Sequence, residues 1–330
     1  MPTVYLGATI KQHRFKDDPT KVRWGMSSDK YLGNAIANVE TELAKINKKL
    51  STKAGTPLAC NYRPELDVSP LLAADRANYY QNLIGILRWA VELGRVDIHV
   101  GVSLLSSYLV QPRVGHLEQA FHIFAYLKSH QRSTMVFDDT PLILPDERFK
   151  KCEWNDFYPG ATEAIPPNAI PARGNSVQIN AFVDADHAGD RLTRRSHTGI
   201  IIFLNKAPII WFSKRQNTVE TSTFGSEFVA MKICTEMVEG LRYKLRMFGI
   251  PIEGPANVFC DNEAVVKNAT VPESTLKKKH NAIAYHRVRE AIAAGTIRIT
   301  KEHTSTNLAD ILTKLLPADT LKKLCERILH

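Results

Sequence analysis

A chain of 330 residues with 44% hydrophobic side chains can bury a sizeable core and is long enough for about two domains. Its formal charge of +9 favours a polyanionic partner such as nucleic acid, although excess charge also serves solubility. There is no apolar run of about eighteen residues and no basic n-region in MPTVYLGATI, so neither a membrane span nor a signal peptide is expected. Cys60, Cys152, Cys234, Cys260 and Cys325 are scattered and form no C-x-x-C pair, which reads as small apolar residues in a reducing, intracellular setting.

Residues 3 to 10 are strand-like from the outset, as if the chain were entered in mid-domain, which suggests a piece of something longer. Apolar spacing of three and four predicts a helix over 32–50, and the prolines Pro57, Pro64 and Pro70 predict an extended connector after it. Helical periodicity then runs from Ala74 to Leu109 and, beyond Pro112, from Val114 to Lys128. The front half is therefore expected to be mainly helical. Six prolines between Phe137 and Arg173 predict a linker, with a short strand near 134–137.

Downstream, 177–183, 199–204 and 209–212 are short β-branched runs in quick succession, as in an antiparallel meander. A long helix with Phe224, Phe228, Met231, Thr235, Val238, Leu241, Leu245 and Phe248 on one face follows, with Thr221 or Ser222 as its cap. The rest reads as a strand at 257–260, helices from Glu263 and over 281–294, a strand at 296–300, and a terminal helical stretch from near Asn307. Strands that first meander and then alternate with helices imply an α/β fold with a mixed sheet.

Within this half, Asp184, Glu227, Asp261 and Asp310 fall at a strand end, on the long helix, at a second strand end and at the start of the final helical stretch. Each alone has an ordinary explanation. A turn accounts for Asp184, helix-start stabilisation for Glu227 and Asp310, and capping for Asp261. Together they offer hard oxygen ligands in an arrangement suited to two Mg²⁺ ions acting on a phosphodiester.

The blocks VDADHAGD, RRSHTGI, PIIWFSKRQNTVETSTFGSEFVA, FCDNEAV, KKKHNAIAYHRVREAIAAG and NLADILTK resemble the ribonuclease H domain of copia-type retrotransposon Pol polyproteins over nearly all of 175–330. YLGATI, YYQNLIGILRWAVELGRVDI and HLEQAFHIFAYLKSH are similar to the segment that follows the polymerase active site in the same polyproteins. The resemblance implies three segments: the end of a reverse transcriptase palm with thumb and connection over 1–150, a proline-rich linker over 151–174, and a ribonuclease H-like domain with a five-stranded mixed sheet and flanking helices over 175–330. It implies that Asp184, Glu227, Asp261 and Asp310 are catalytic metal ligands for two Mg²⁺, with Mn²⁺ as an alternative ion, and ranks Asp186 below them. His303, near Asp310 in sequence, is the candidate for proton transfer or product release, although a solvated loop role explains it equally. His280 belongs to a recurring block and is equally explained as a helix-start residue. The implied partners are an RNA–DNA hybrid and the remainder of the Pol polyprotein, with no membrane, in cytoplasmic retrotransposon particles whose DNA product later enters the nucleus.

The family's Tyr-x-Asp-Asp polymerase signature does not occur in this sequence. Asp17 with Asp18 reads as a solvated loop, and Asp138 with Asp139 in MVFDDTP looks superficially like a polymerase hairpin but follows YLKSH and precedes the proline-rich linker, so polymerisation would need the upstream palm. Arg194, Arg195, Lys214, Arg215 and the run Lys277, Lys278, Lys279 are candidates for phosphate contacts or for a solvated surface. The leading expectation is metal-dependent endonucleolytic hydrolysis of the RNA strand of a hybrid. Its alternative is an inactive or partner-dependent fragment that binds nucleic acid without turnover. A related-fold integrase would place its Glu last, whereas Glu227 comes second.

Overall fold

The computed structural model describes residues 3–15, 18–276 and 279–330. These form two compact units. One comprises Met1–Phe137, Asp190–Arg194 and Ile311–His330; the other comprises Asp138–Gly189 and Arg195–Asp310. The division differs from the three consecutive segments expected from sequence: the proline-rich stretch lies with the second unit and residues 311–330 lie with the first.

The first unit opens with β1 (Val4–Tyr5) and β2 (Ala8–Arg14) instead of the single strand expected over 3–10. Leu6 and Gly7 both adopt positive φ between them, at 50° and 93°, and turn the chain back on itself. β3 (Val22–Ser27), which was not expected, and β4 (Met135–Phe137) complete an antiparallel sheet in the order β1-β2-β3-β4. α1 (Asp29–Ala44) stops short of the expected 50 and buries Leu32, Ile36, Val39 and Leu43. The long helical stretch is two helices, α2 (Ala74–Glu92) and α3 (His99–Leu105), separated at Gly94 with φ +99°. α4 (Val114–Ser129) buries Leu117, Ala120, Ile123 and Phe124.

The second unit is built on five strands: β5 (Ile179–Asp186), β6 (His197–Leu204), β7 (Ala207–Arg215), β8 (Ala256–Cys260) and β9 (Ile297–Lys301). Their order is β7-β6-β5-β8-β9. β5, β6 and β7 are antiparallel, while β8 and β9 run parallel to β5. Two-residue connections suffice for an antiparallel pair such as β6 and β7, whereas parallel neighbours need crossovers. The crossovers carry α5 (Thr223–Met247), α6 (Glu263–Thr270) and α7 (Ala282–Ala293). Their apolar faces close over the sheet, with Phe228, Met231, Cys234 and Val238 of α5 in one core with Ala181, Val183, Ile200 and Val258. α8 (Ala318–Cys325) is set off by Pro317 and lies in the first unit.

The proline-rich stretch is extended, as its composition dictates, but it is packed against the sheet and helices of the second unit. The Arg289 guanidinium lies 4.9 Å from the Trp154 ring centroid and 4.7 Å from that of Tyr285, and it donates to the carbonyls of Asn268, Val271 and Pro272. Glu163 accepts from both Arg242 and Arg246. The Cys152 thiol lies 3.4 Å from the Thr270 carbonyl. Among the described residues, no helix is long and apolar enough to cross a membrane.

Candidate metal centre

Asp184 does not end its strand. β5 continues through Asp186, and Asp184 sits opposite Gly199 within the ladder, 1% exposed. A turn role is therefore removed for this residue. The period-two alternation of the strand sends Asp184 to the face opposite Ala185.

Capping is likewise assigned to a neighbour of Asp261. Asn262 is the N-cap of α6, its Oδ1 accepting from the backbone N–H of Ala264 and Val265. This leaves the Asp261 carboxylate at the end of β8, half-buried and directed into the carboxylate group described below. On α5, Ser222 is the cap and accepts from the Gly225 N–H at 3.3 Å. Glu227 lies further along the helix and is buried.

Asp310 is in a 3-10 turn, Leu308–Leu312, and not in the early part of the final α-helix as expected. Asn307, fully buried, fixes this turn. Its side chain donates to the Val183 carbonyl at 3.1 Å, next to Asp184, and accepts from the Ala309 N–H at 3.2 Å. Sequence reasoning did not single out Asn307; its place two residues before an Ala-Asp pair, as in an Asx turn, was the available signal.

The result is two groups with a common member. Carboxylate oxygens of Asp184, Asp261 and Asp310 lie within 4.8 Å of one another, and so do ligand atoms of Glu227, Cys260 and Asp261. All four acids named from the sequence are thus brought together, with Asp261 in both groups. Asp186 and His303 are in neither group. Asp186 turns its carboxylate against Gly189, where a Cβ would meet Oδ2 at 1.9 Å. His303 is exposed and caps the short turn Thr304–Thr306, accepting from the Ser305 N–H at 3.2 Å. Asp138 closes its own turn by accepting from Thr140.

Burial holds the Cys260 thiol well above its ordinary range, and the charges of Glu227, Asp261 and Asp184 raise it further. A protonated sulfur is a poor ligand. The donors that remain are all carboxylate oxygens, a hard set that fits Mg²⁺ and Mn²⁺ better than soft metals. Carboxylates that converge in a largely buried place repel one another, a cost that a divalent cation offsets.

One further side chain braces the site. The Gln216 amide, buried just beyond β7, donates to Thr198 Oγ1 on β6 at 3.0 Å and to the Ser226 carbonyl on α5 at 2.9 Å. It ties the turn that carries Glu227 to the sheet. Of the candidate phosphate contacts, Lys214 and Lys279 are exposed and Arg195 and Arg215 half-buried, while Arg194 is exposed in the loop of the first unit. Lys277 and Lys278, like Asp17, lie outside the described residues. His280 is paired with Glu220, its Nε2 3.7 Å from Oε2.

Three antiparallel strands continued by two parallel ones, with the acids gathered from β5, the end of β8, α5 and the Leu308–Leu312 turn, define a ribonuclease H-like α/β fold. Over most of its length the chain is homologous to retrotransposon Pol polyproteins. It is 26% identical over 288 residues to the Retrovirus-related Pol polyprotein from transposon RE1 of Arabidopsis thaliana, covering 87% of this chain and 17% of that protein. It is 24% identical over 327 residues to the corresponding polyprotein from transposon TNT 1-94 of Nicotiana tabacum, covering 98% of this chain and 21% of that one. The chain therefore spans about a fifth of the length of these relatives. Among solved structures it is similar to LC11-RNase H1 in complex with RNA/DNA hybrid, at 16% identity and a TM-score of 0.34 over 41% of this chain and 94% of that one. No family model matches the chain.

Proposed function

We propose that the chain is the ribonuclease H-bearing part of a retrotransposon Pol polyprotein and hydrolyses the RNA strand of RNA–DNA hybrids by a metal-dependent, endonucleolytic reaction. The observation that carries this reading is Asp261, common to two neighbouring groups of ligands that together include Asp184, Glu227 and Asp310. Two Mg²⁺ ions held there would supply an activated water and stabilisation of the leaving oxygen, the chemistry that leaves a 3′-hydroxyl and a 5′-phosphate. Asp184 and Asp310 would hold one ion and Glu227 the other, with Asp261 available to both. Asn307 and Gln216 keep the Asp310 turn and the Glu227 turn in register with the sheet.

In this reading residues 1–150 correspond to the end of the palm and the thumb and connection of a reverse transcriptase, and residues 175–330 to the nuclease. The hybrid is the substrate, and the rest of the polyprotein supplies the polymerase palm within the cytoplasmic particle. The positive charge of the chain supports a polyanionic substrate.

The test is cleavage of a labelled RNA–DNA hybrid by the purified chain, with Mg²⁺ and with EDTA, beside Asp261→Asn. Cleavage that needs the metal and disappears in the folded variant is the expected result. Wild-type rates in Asp261→Asn would overturn the site, and hybrid binding without cleavage in the wild type would favour a fragment that needs a partner.

A further inference from the structure

His187 stands where the elements carrying Asp184 and Glu227 meet. It directly follows β5, and its Nδ1 lies 3.4 Å from Oγ of Ser226, the residue before Glu227 on α5. The loop that presents it is fixed on both sides. Ala188 adopts left-handed backbone at φ +51°, a conformation that costs a non-glycine residue on the order of 1 kcal/mol and persists where its surroundings determine it. Its N–H donates to Oγ of the fully buried Ser196 at 3.0 Å. On the other side, the Asp186 carboxylate fills the space beside Gly189 that a side chain would take.

The contacts of Ser226 set the tautomer of the ring. A serine hydroxyl has one proton to give, and that of Ser226 is donated to the Thr223 carbonyl at 2.9 Å. Ser226 Oγ therefore faces His187 as an acceptor, and the imidazole presents Nδ1–H to it. In the neutral ring Nε2 is then an acceptor. His187 is half-buried, and among the described residues its Nε2 meets no protein partner. An acceptor nitrogen is a poor match for a phosphate oxygen, which also accepts. It suits a hydroxyl.

We infer that His187 Nε2 accepts a hydrogen bond from a ribose 2′-hydroxyl of the bound RNA strand and is a specificity-determining residue. The inference rests on the ribonuclease H reading above. A deoxyribose has no such donor, so a DNA strand in the same place leaves Nε2 without its bond.

The test is a scan of hybrids in which single RNA positions are replaced by 2′-deoxynucleotides. Binding to the full chain is followed by fluorescence anisotropy in EDTA, where hydrolysis does not intervene. Wild type should show one position whose replacement weakens binding by roughly three- to tenfold, the range of one net hydrogen bond. That penalty should vanish in His187→Ala and in His187→Phe, which keeps a ring without an acceptor. It should persist in His187→Gln, whose side-chain oxygen can accept. Phe and Gln carry the comparison if Ala fails to fold. A wild type that binds hybrid with the same scan as the Ala and Phe variants overturns the assignment of His187 alone. A wild type that binds no hybrid in EDTA and neither binds nor cleaves it with Mg²⁺ removes the ribonuclease H reading and this inference with it.

Discussion

Replacing Asn307 by alanine should loosen the second unit and the Asp310 turn together. The side chain is fully buried and makes two hydrogen bonds, one to the Val183 carbonyl and one from the Ala309 N–H. Truncation leaves both backbone groups facing a small void that does not replace those bonds. A buried group deprived of its partner costs about 1–3 kcal/mol. Some relaxation or entry of water will recover part of the sum, so the expected loss is about 2–4 kcal/mol. Urea denaturation followed by tryptophan fluorescence reads this in a chain whose first-unit Trp24 and Trp89 are replaced by Phe, so that Trp154 and Trp211 of the second unit alone report. With a slope of about 2–3 kcal/mol per molar, the midpoint of that unit's transition should fall by roughly 1 M. Mg²⁺-dependent cleavage should fall as well, since Asp310 is held only one residue beyond Ala309. A midpoint within about 0.2 M of wild type would refute the reasoning, because it would mean the two bonds contribute nothing net.

Acidification should expose the Glu163 clamp. Burial works against ionisation of this carboxyl, but the hydrogen bonds and charges of Arg242 and Arg246 prevail and lower its pKa from 4.5 to about 2. A carboxyl whose pKa is depressed on folding stabilises the native state above the unfolded value, and that contribution is lost as pH falls from about 4.5 through about 2. Allowing for solvent screening, it is worth about 1–2 kcal/mol, and Glu163→Gln should remove it at neutral pH and flatten the acid limb of a stability–pH curve. Arg289→Met, which keeps bulk but gives up three carbonyl partners and the aromatic contacts, should cost about 3 kcal/mol in the same urea assay; a change below about 0.5 kcal/mol would contradict the packing of the proline-rich stretch. Under native conditions a thiol reagent should label exposed Cys60 first and leave Cys234 unreacted, since burial pushes the Cys234 thiol up to about 12. Fast labelling of Cys234 in the folded chain would show that the α5 core opens.

The meander, the long helix and the four acids were legible because each is a local pattern: β-branched runs with turns between them, a 3.6-residue stripe, and carboxylates closing apolar strands. What the acids do individually was not. Capping explained Asp261 as well as a ligand role did until Asn262 was seen to take the cap, and a turn explained Asp184 until β5 was seen to run through it. β3 escaped notice because VRWGMS mixes a charge, a glycine and a serine with its apolar residues, and its alternation depends on neighbours far away in sequence. The prolines after Phe137 reported correctly that the chain is extended. They carry no information on whether an extended chain is docked, which is decided by Trp154, Glu163 and Cys152 meeting partners more than seventy residues away. Asn307 and Gln216 belong to the same class: their roles exist only once Val183, Thr198 and Ser226 are brought to them.

Residues 311–330 have a consequence for the order in which the molecule can be made. Thr134 and His330 exchange backbone hydrogen bonds at 2.8 Å in both directions, and Met135 bridges Leu329, all within the first unit. On a ribosome the helices α1 to α4 emerge early, yet the strand pairing beside β4 waits until the entire second unit has been synthesised. Closing so long a loop is entropically slow to reward, so the first unit should mature last even though most of it is translated first. A stop codon after Asp310 would accordingly spare every carboxylate of the candidate metal centre and damage the other unit.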